Sequence, residues 1–365
     1  MDINNLSTKQ LLKLPNPLFC GGIEAYNNER ELCLSLDKKK NNNYHKYLSS
    51  LKNKSSYINY LPIKLDIENV SRCNFRCKMC QVSEWKNGKR ADDMIIEAFQ
   101  HLIDEQYGAV EIKLQGMGEP LLGGETYFKM VEYARSKHIW VRTVTNASLL
   151  HKDKYYKRII DADVNEIQIS IDGADKKTFE GIRCRGLFEK VVENCILINS
   201  YCEKKGIERT KMWVVLQQDN QHQLFEFIQL AKHMKFKSMV FSLDLGNWGQ
   251  EYWAKKNEIQ KAAPITLDIG HKLIGLGLEA GIKVFFWFGS SKYSYQNLCP
   301  WPFERVYISS DLRVVPCCII ANPDVYNLGS AMSITETWNN KEYTKFRQTH
   351  LDGNIPKICH SCYIE

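Results

Sequence analysis

From residue 63 onward the chain alternates short β-rich runs with longer stretches of helical period. The runs cover residues 63–68, 110–115, 140–145, 166–171, 212–216 and 239–243. Between them the spacing predicts helices at 92–105, 127–137, 152–161, 187–204 and 221–235, the last placing Leu224, Phe227, Ile228, Ala231 and Met234 on one face. Strands that alternate with helices of this length build βα units and a parallel sheet. Six such strands fall short of an eight-stranded barrel, so the expected class is α/β, a partial (β/α)6 TIM-like barrel.

The flanks read differently. Residues 1–60 are polar and Asn/Lys-rich, with a helical stretch at 8–14 and strands expected at 19–25 and 32–36, which together form an N-terminal accessory segment. After Gly246 a helix at 265–280 leads into an apolar run at 282–288, and 289–297 reads as a linker. The last segment carries a hairpin signal, 305–309 and 313–315 around Ser310-Asp311-Leu312, then a helix at 334–349 and a cysteine-bearing tail. The expected division is therefore 1–60, a barrel over 61–288, and a small C-terminal domain over 289–365, made of a hairpin plus a helix.

With 365 residues, 44% hydrophobic and 25% charged, the chain has the make-up of a globular protein and not of a disordered one. No apolar run approaches the ~18 residues of a spanning helix, and Met1-Asp2-Ile3 lacks the basic-then-apolar order of a signal peptide, so a cytoplasmic location is expected. The net charge of +7 gathers in runs such as Lys38-Lys39-Lys40 and 52–54. Without interleaved aromatics or a binding motif these read as a solvated basic face, and a nucleic-acid partner is not expected. The 13 cysteines matter more: in a reducing compartment that number argues for metal ligands, and an odd count cannot all pair within one chain.

Cys73, Cys77 and Cys80 lie in Cys-Asn-Phe-Arg-Cys-Lys-Met-Cys, directly after the first predicted strand. Three thiolates in one loop can hold three irons of a 4Fe-4S cluster and leave the fourth iron open to a small-molecule chelator. A zinc knuckle would need a fourth ligand, and residues 81–92 contain neither His nor Cys. This Cys-x3-Cys-x2-Cys loop at the end of a first βα-unit strand resembles that of the radical S-adenosylmethionine superfamily, over roughly residues 60–365, with Met79 in place of the usual aromatic. The resemblance implies a SAM-binding 4Fe-4S cluster and S-adenosylmethionine as cofactors. It makes Gly116-Met117-Gly118-Glu119-Pro120 similar to the motif that holds the methionyl amino group, a role carried to Gly116, Gly118 and Glu119. It further implies Ser170 and Asp172 near the ribose or methionyl carboxylate, Arg183 reaching that carboxylate, and Asn146 as a weaker member.

Cys299, Cys317, Cys359 and Cys362 form a complete four-thiolate set. Local spacing suits a closed 4Fe-4S cluster and a zinc ribbon equally well. The segments around these cysteines resemble the SPASM/twitch extension of radical enzymes, which implies an auxiliary cluster; with few cysteines between Cys317 and Cys359, one is expected. Leu312 stands where that extension usually has glycine. Cys318 adjoins a ligand and is open to three roles: an alternative ligand, a hydrogen-atom donor, or a small packed side chain. Cys20, Cys33, Cys184, Cys195 and Cys202 show no metal spacing. Trp248 and Trp253 are candidates for the barrel mouth, whereas the aromatic run 285–288 reads as core strand.

The expected activity is that of an oxidoreductase. The resemblance implies that S-adenosylmethionine is cleaved reductively to a 5'-deoxyadenosyl radical, which would abstract a hydrogen atom from a carbon of a polar small molecule or short peptide. A flavodoxin- or ferredoxin-type electron donor is implied. Epimerisation, with Cys318 returning the hydrogen, and peptide crosslinking are the alternatives within this chemistry; the short first 60 residues weigh against a leader-binding domain. A zinc-binding nucleic-acid module is the alternative from another class.

Overall fold

Runs rich in β-branched and aromatic residues pay little to stay extended, and every such run enters one sheet. The computed structural model describes residues 14–364. Its strands are β1 (Lys64–Ile67), β2 (Glu111–Leu114), β3 (Trp140–Thr145), β4 (Glu166–Ser170), β5 (Thr210–Val215), β6 (Ser238–Ser242), β7 (Lys283–Trp287), β8 (Arg305–Ile308), β9 (Arg313–Val315) and β10 (Gly329–Ser330). They lie in the order β10-β9-β8-β1-β2-β3-β4-β5-β6-β7. Every pair from β8 through β7 is parallel, with Lys64 opposite Arg305 on one side and Glu111 on the other, whereas β9 and β10 are antiparallel additions.

The six expected βα strands are thus present, and two more extend them. The apolar run at 282–288 forms β7 beside β6, and the first arm of the predicted hairpin pairs with β1. The cysteine-bearing C-terminal segment is therefore hydrogen-bonded into the same sheet as the first cysteine loop. Leu312 turns the hairpin at φ 60°, the left-handed region in which glycine is at ease.

Side chains alternate across each strand. Leu65, Ile67, Ile112, Leu114, Ile167 and Ile169 face the helices and are buried. The intervening positions are polar: Asp66, Glu111, Arg142, Glu166 and Lys211 interlock by ion pairs inside the sheet's curve. The chain ahead of β1 closes this end. Lys211 donates to the Leu18 carbonyl, the Cys20 amide to Glu166, and the Tyr26 hydroxyl to Glu111.

Several expectations need correction. The strands expected at 19–25 and 32–36 are replaced by helices Gly22–Ser35 and Lys38–Ser50. Buried Tyr26, Cys33 and Leu34 recur at helical spacing, and Asp37 caps the second helix by accepting from the Lys39 amide at 2.7 Å. Lys40, read as part of a solvated face, is buried and donates to the Ala109 carbonyl at 2.9 Å. The helix expected at 8–14 lies outside the described residues except for Leu14. A helix at Glu251–Ile259 was not expected, and the one at 334–349 is split into Ile334–Thr337 and Lys341–Leu351, the second capped by Asn340. Among the described residues no helix is long and apolar enough to cross a membrane.

Helix Leu267–Ala280, which backs the β7 end of the sheet, offers a test of this packing. A Cβ on Gly275 would meet nothing within 4 Å, whereas one on Gly277 would collide with the Val284 side chain and the Ile282 carbonyl. Gly275→Ala should raise the unfolding free energy by about 0.5–1 kcal/mol and Gly277→Ala should lower it by about 1–3 kcal/mol. Denaturant melts of the two variants check this; a common sign would contradict the packing described.

Candidate functional site

The first cysteine loop leaves β1 and is tied down on three sides. Its Cys73 amide donates to the Gly88 carbonyl at 3.3 Å and its Lys78 amide to the Ile182 carbonyl at 3.0 Å. Arg76 and Cys77 pair antiparallel with Cys184 and Arg183. Cys184, which shows no metal spacing in the sequence, is thus part of the strand that holds the loop.

Beside the loop runs the glycine-rich turn after β2. A Cβ on Gly116 would collide with Glu68, and one on Gly118 with the backbone carbonyls of Val70 and Arg72. Gly118 therefore needs glycine for the close approach of two backbones, and Gly116 for the close approach of the buried Glu68 side chain. Glu68, at the end of β1 and wholly buried, accepts from the Met117 amide (3.0 Å), the Ser310 amide (3.1 Å) and Arg90 (3.0 Å). It joins the cysteine loop's strand to the glycine turn and to the C-terminal hairpin.

Cys73, Cys77 and Cys80 open onto a cavity of about 380 Å³. Gly116, Gly118, Glu119, Asn146, Ser170 and Arg183 line it too, so these sequence-predicted residues converge. Asp172 does not reach the cavity. It lies behind, paired with Arg183 at 2.6 Å and accepting from the Val215 amide at 2.8 Å, and so aims the guanidinium. Glu119 accepts from the Thr145 hydroxyl (2.6 Å) and the Asn146 amide (2.8 Å). Burial nevertheless pushes its carboxyl up to about 7, against those hydrogen bonds. A cationic ligand group would relieve that penalty.

The second constellation also assembles. Cys299, Cys317, Cys359 and Cys362 surround a cavity of about 130 Å³ beneath β9. The Tyr363 hydroxyl holds the Cys299 amide by accepting at 3.0 Å, and the Lys292 and Tyr293 amides donate to the Cys362 carbonyl at 2.9 Å. Burial raises these thiols, Cys299 to about 12, so a bound cationic core is what would hold them as thiolates. Among the described residues no three His, Cys, Asp or Glu side chains gather closely enough for a single ion. The cavity that these four thiols share with their neighbours is roughly ten times one water site, room for more than a single ion. Cys318, with Trp287 and Ile319, lines both cavities.

Of the tryptophans proposed for the mouth, Trp248 lines the larger cavity and donates to the Met79 carbonyl at 3.1 Å, while Trp253 is buried elsewhere. Trp287, read as core, is 39% exposed and faces both cavities. Lys113, Gln115, Gln168, Trp213 and Asp244 line the larger cavity and were missed. The available signal was the period-2 placement of polar residues within otherwise apolar strand runs.

Comparison with known proteins agrees with this geometry. The Radical SAM superfamily matches residues 69–231, and an iron–sulfur cluster-binding domain, SPASM, matches residues 299–363. The mycofactocin maturase MftC of Mycolicibacterium smegmatis is 28% identical over 53% of this chain and 47% of its own length, so the match spans about half of that relative. Streptococcus suis SuiB bound to S-adenosylmethionine superposes with a TM-score of 0.64 at 14% identity, over 84% of this chain and 72% of SuiB. The enzyme anSMEcpe with bound AdoMet and a Cp18Cys peptide superposes at 0.59 and 19% identity, over 82% and 88% of the two chains. These likenesses establish the fold.

The Glu119 carboxyl gives a pH signature in the ligand-free protein. Its folded value lies above the ordinary 4.5, so the stability it contributes is present below 4.5 and is lost as pH rises through about 7. The stability of wild type relative to Glu119→Gln should therefore fall by on the order of 1–3 kcal/mol between pH 5 and 8. Denaturant midpoints at both pH values measure it; a flat or rising difference would refute the buried, weakly compensated carboxylate.

Proposed function

The chain is a member of the radical S-adenosylmethionine superfamily with a C-terminal iron–sulfur SPASM region, and from that premise we propose that it removes a hydrogen atom from a carbon of a polar substrate and completes an oxidation there. Cys73, Cys77 and Cys80 would hold the open-site cluster, and Cys299, Cys317, Cys359 and Cys362 a single closed one. When bound, the first supplies the electron that cleaves S-adenosylmethionine to a hydrogen-abstracting 5'-deoxyadenosyl radical, and the second supplies an electron acceptor.

The chain's own residues supply position and dryness. Glu119, with its oxygens oriented by Thr145 and Asn146, is placed to accept from an α-ammonium group. Arg183, steered by Asp172, and the Ser170 hydroxyl sit where carboxylate and ribose groups would need donors. Met79, Trp248 and Trp287 add apolar surface that keeps water from the reacting carbon. The observation that carries the oxidative reading is that the two cavities share lining residues. Cys318, Ile319 and Trp287 line both the larger cavity and the four-thiol cavity, so an acceptor held by the four thiols would adjoin the cavity proposed for the substrate.

The substrate is a polar small molecule or a peptide. A peptide is supported by the name of MftC, a maturase, and by SuiB, which is known with a precursor peptide bound. The supply of electrons to the first site falls to a flavodoxin- or ferredoxin-type donor.

Anaerobic reconstitution should load about eight irons per chain, from two four-iron clusters. Cys77→Ala should abolish deoxyadenosine formation under dithionite. Stoichiometric zinc without iron, or undiminished deoxyadenosine in the variant, would sink the reading. A second experiment addresses the outcome at carbon: Cys318→Ala should retain turnover, and the wild-type product made in deuterium oxide should carry no deuterium at the abstracted carbon. Incorporation that is lost in the variant would make Cys318 a hydrogen donor and the enzyme an epimerase.

A further inference from the structure

Among the ion pairs inside the sheet's curve one cation is left without a partner, and the carboxylates that share its cavity, Glu119 and Asp244, are taken up by other donors: Thr145 and the Asn146 amide, and the Gly289 and Ser290 amides. Three carboxylates, Asp66, Glu111 and Glu166, stand there with four cations, Arg142, Lys211, Arg305 and Lys113. Arg142 pairs with Glu111 (3.2 Å) and Glu166 (2.8 Å), Lys211 with Glu166 (3.1 Å), and Arg305 with Asp66 (3.1 Å) and Glu111 (3.2 Å). Lys113 is left over. Its side chain lines the 380 Å³ cavity, and among the described residues its ammonium makes no ion pair or hydrogen bond.

The groups around Lys113 do not remedy this. Burial is the main influence lowering its pKa; Arg142 and Arg305 depress it further, while Asp66 and the Cys318 thiol pull the other way. Asp66 is 1% exposed and already engaged by Arg305, and its second oxygen is sealed from the cavity. Lys113 is half-buried, with its ammonium open to the cavity, so a carboxylate brought by a ligand would meet a partly desolvated cation that has no partner of its own. Lys113 and Gln115 alternate on the same face of the segment ending β2, so a charged and a neutral donor both line this cavity. The arginines nearby are already engaged, Arg142 and Arg305 by Glu111, Glu166 and Asp66 and Arg183 by Asp172, so among the described residues none is left to give the forked contact that a phosphate dianion would use.

Resting on the function proposed above, we propose that Lys113 is the substrate-anchoring residue and that the substrate enters with a carboxylate, which pairs with Lys113 at the floor of the cavity beside Cys318. The carboxylate comes either from a free small acid or from an acidic residue of a peptide. The anchor sets specificity by leaving the cation unpaired when a neutral analogue enters.

The test uses reconstituted holoenzyme saturated with S-adenosylmethionine, without reductant, and calorimetric titration with matched probes. N-acetyl-Gly-Glu-Gly-amide is compared with its Gln counterpart for the peptide source, and succinate with succinamide for the free acid. In wild type at least one acid should bind roughly tenfold or more tightly than its amide partner, and which pair shows it identifies the source. Lys113→Met should lose the preference and Lys113→Arg should keep most of it; iron content and melting curves guard against misfolding. Equal binding of acid and amide, no binding of either acid, or a preference that survives in Lys113→Met would overturn the anchor. So would displacement of the acid by equimolar inorganic phosphate. A weakened S-adenosylmethionine affinity or a shifted cluster potential in Lys113→Met, with the acid preference intact, would reassign the cation and equally overturn it. Deoxyadenosine formation by the wild-type holoenzyme under dithionite separates the two failures. If it is present without acid preference, only the anchor falls; if it is absent, the functional reading falls with it.

Discussion

A single buried carboxylate organises the active end of this protein. Glu68 is fully enclosed and accepts hydrogen bonds from Arg90, from the Met117 amide and from the Ser310 amide. A buried carboxylate is tolerated only when its oxygens are fully engaged, so each of these partners is held in place by the others. The three contacts belong to the segment after the cysteine loop, the glycine turn and the C-terminal hairpin. Both thiol constellations are in this way registered to the end of one strand. Arg90 extends the link by pairing with Asp311 of the hairpin turn at 2.8 Å, and Asp311 in turn engages Arg313.

The same economy appears deeper in the sheet. Helix-facing positions are apolar and close-packed, while the inward positions carry an interlocked set of charges in place of the branched aliphatic layers that usually fill a barrel. Such an interior keeps its polar groups only if they are mutually satisfied, which fixes their geometry. It also provides a polar floor for a cavity whose rim is aromatic.

Much of this was legible in the chain. The strand β3 falls on the expected residues, and β1, β2, β4, β5 and β6 lie within two residues of expectation, because period-2 burial between helical stretches is a strong local signal. The cysteine spacings marked both constellations. What the sequence concealed was long-range. Nothing local tells that residues 305–308 pair with 64–67, more than two hundred positions away, or that 282–288 joins the sheet. Asp172 read as a cavity residue because strand alternation places it on the correct face, yet Arg183 covers it. Lys113 was passed over because a lone lysine in a strand carries no pattern until its neighbours are known. The N-terminal helices were missed because short polar stretches leave helix and strand periods nearly indistinguishable, and Cys33 and Leu34 show their period only in burial.

The closure of the sheet's far end has a consequence for traffic. Leu18, Cys20 and Tyr26 bind Lys211, Glu166 and Glu111, and Phe19 stacks on Tyr26 with ring centres 4.1 Å apart, so that end is stoppered by the chain itself. Entry by that end is barred, so a ligand reaches the Lys113 side of the cavity by passing the loops at the opposite ends of the strands, where the cysteines lie, and the covered end serves as a fixed base against which those loops are set.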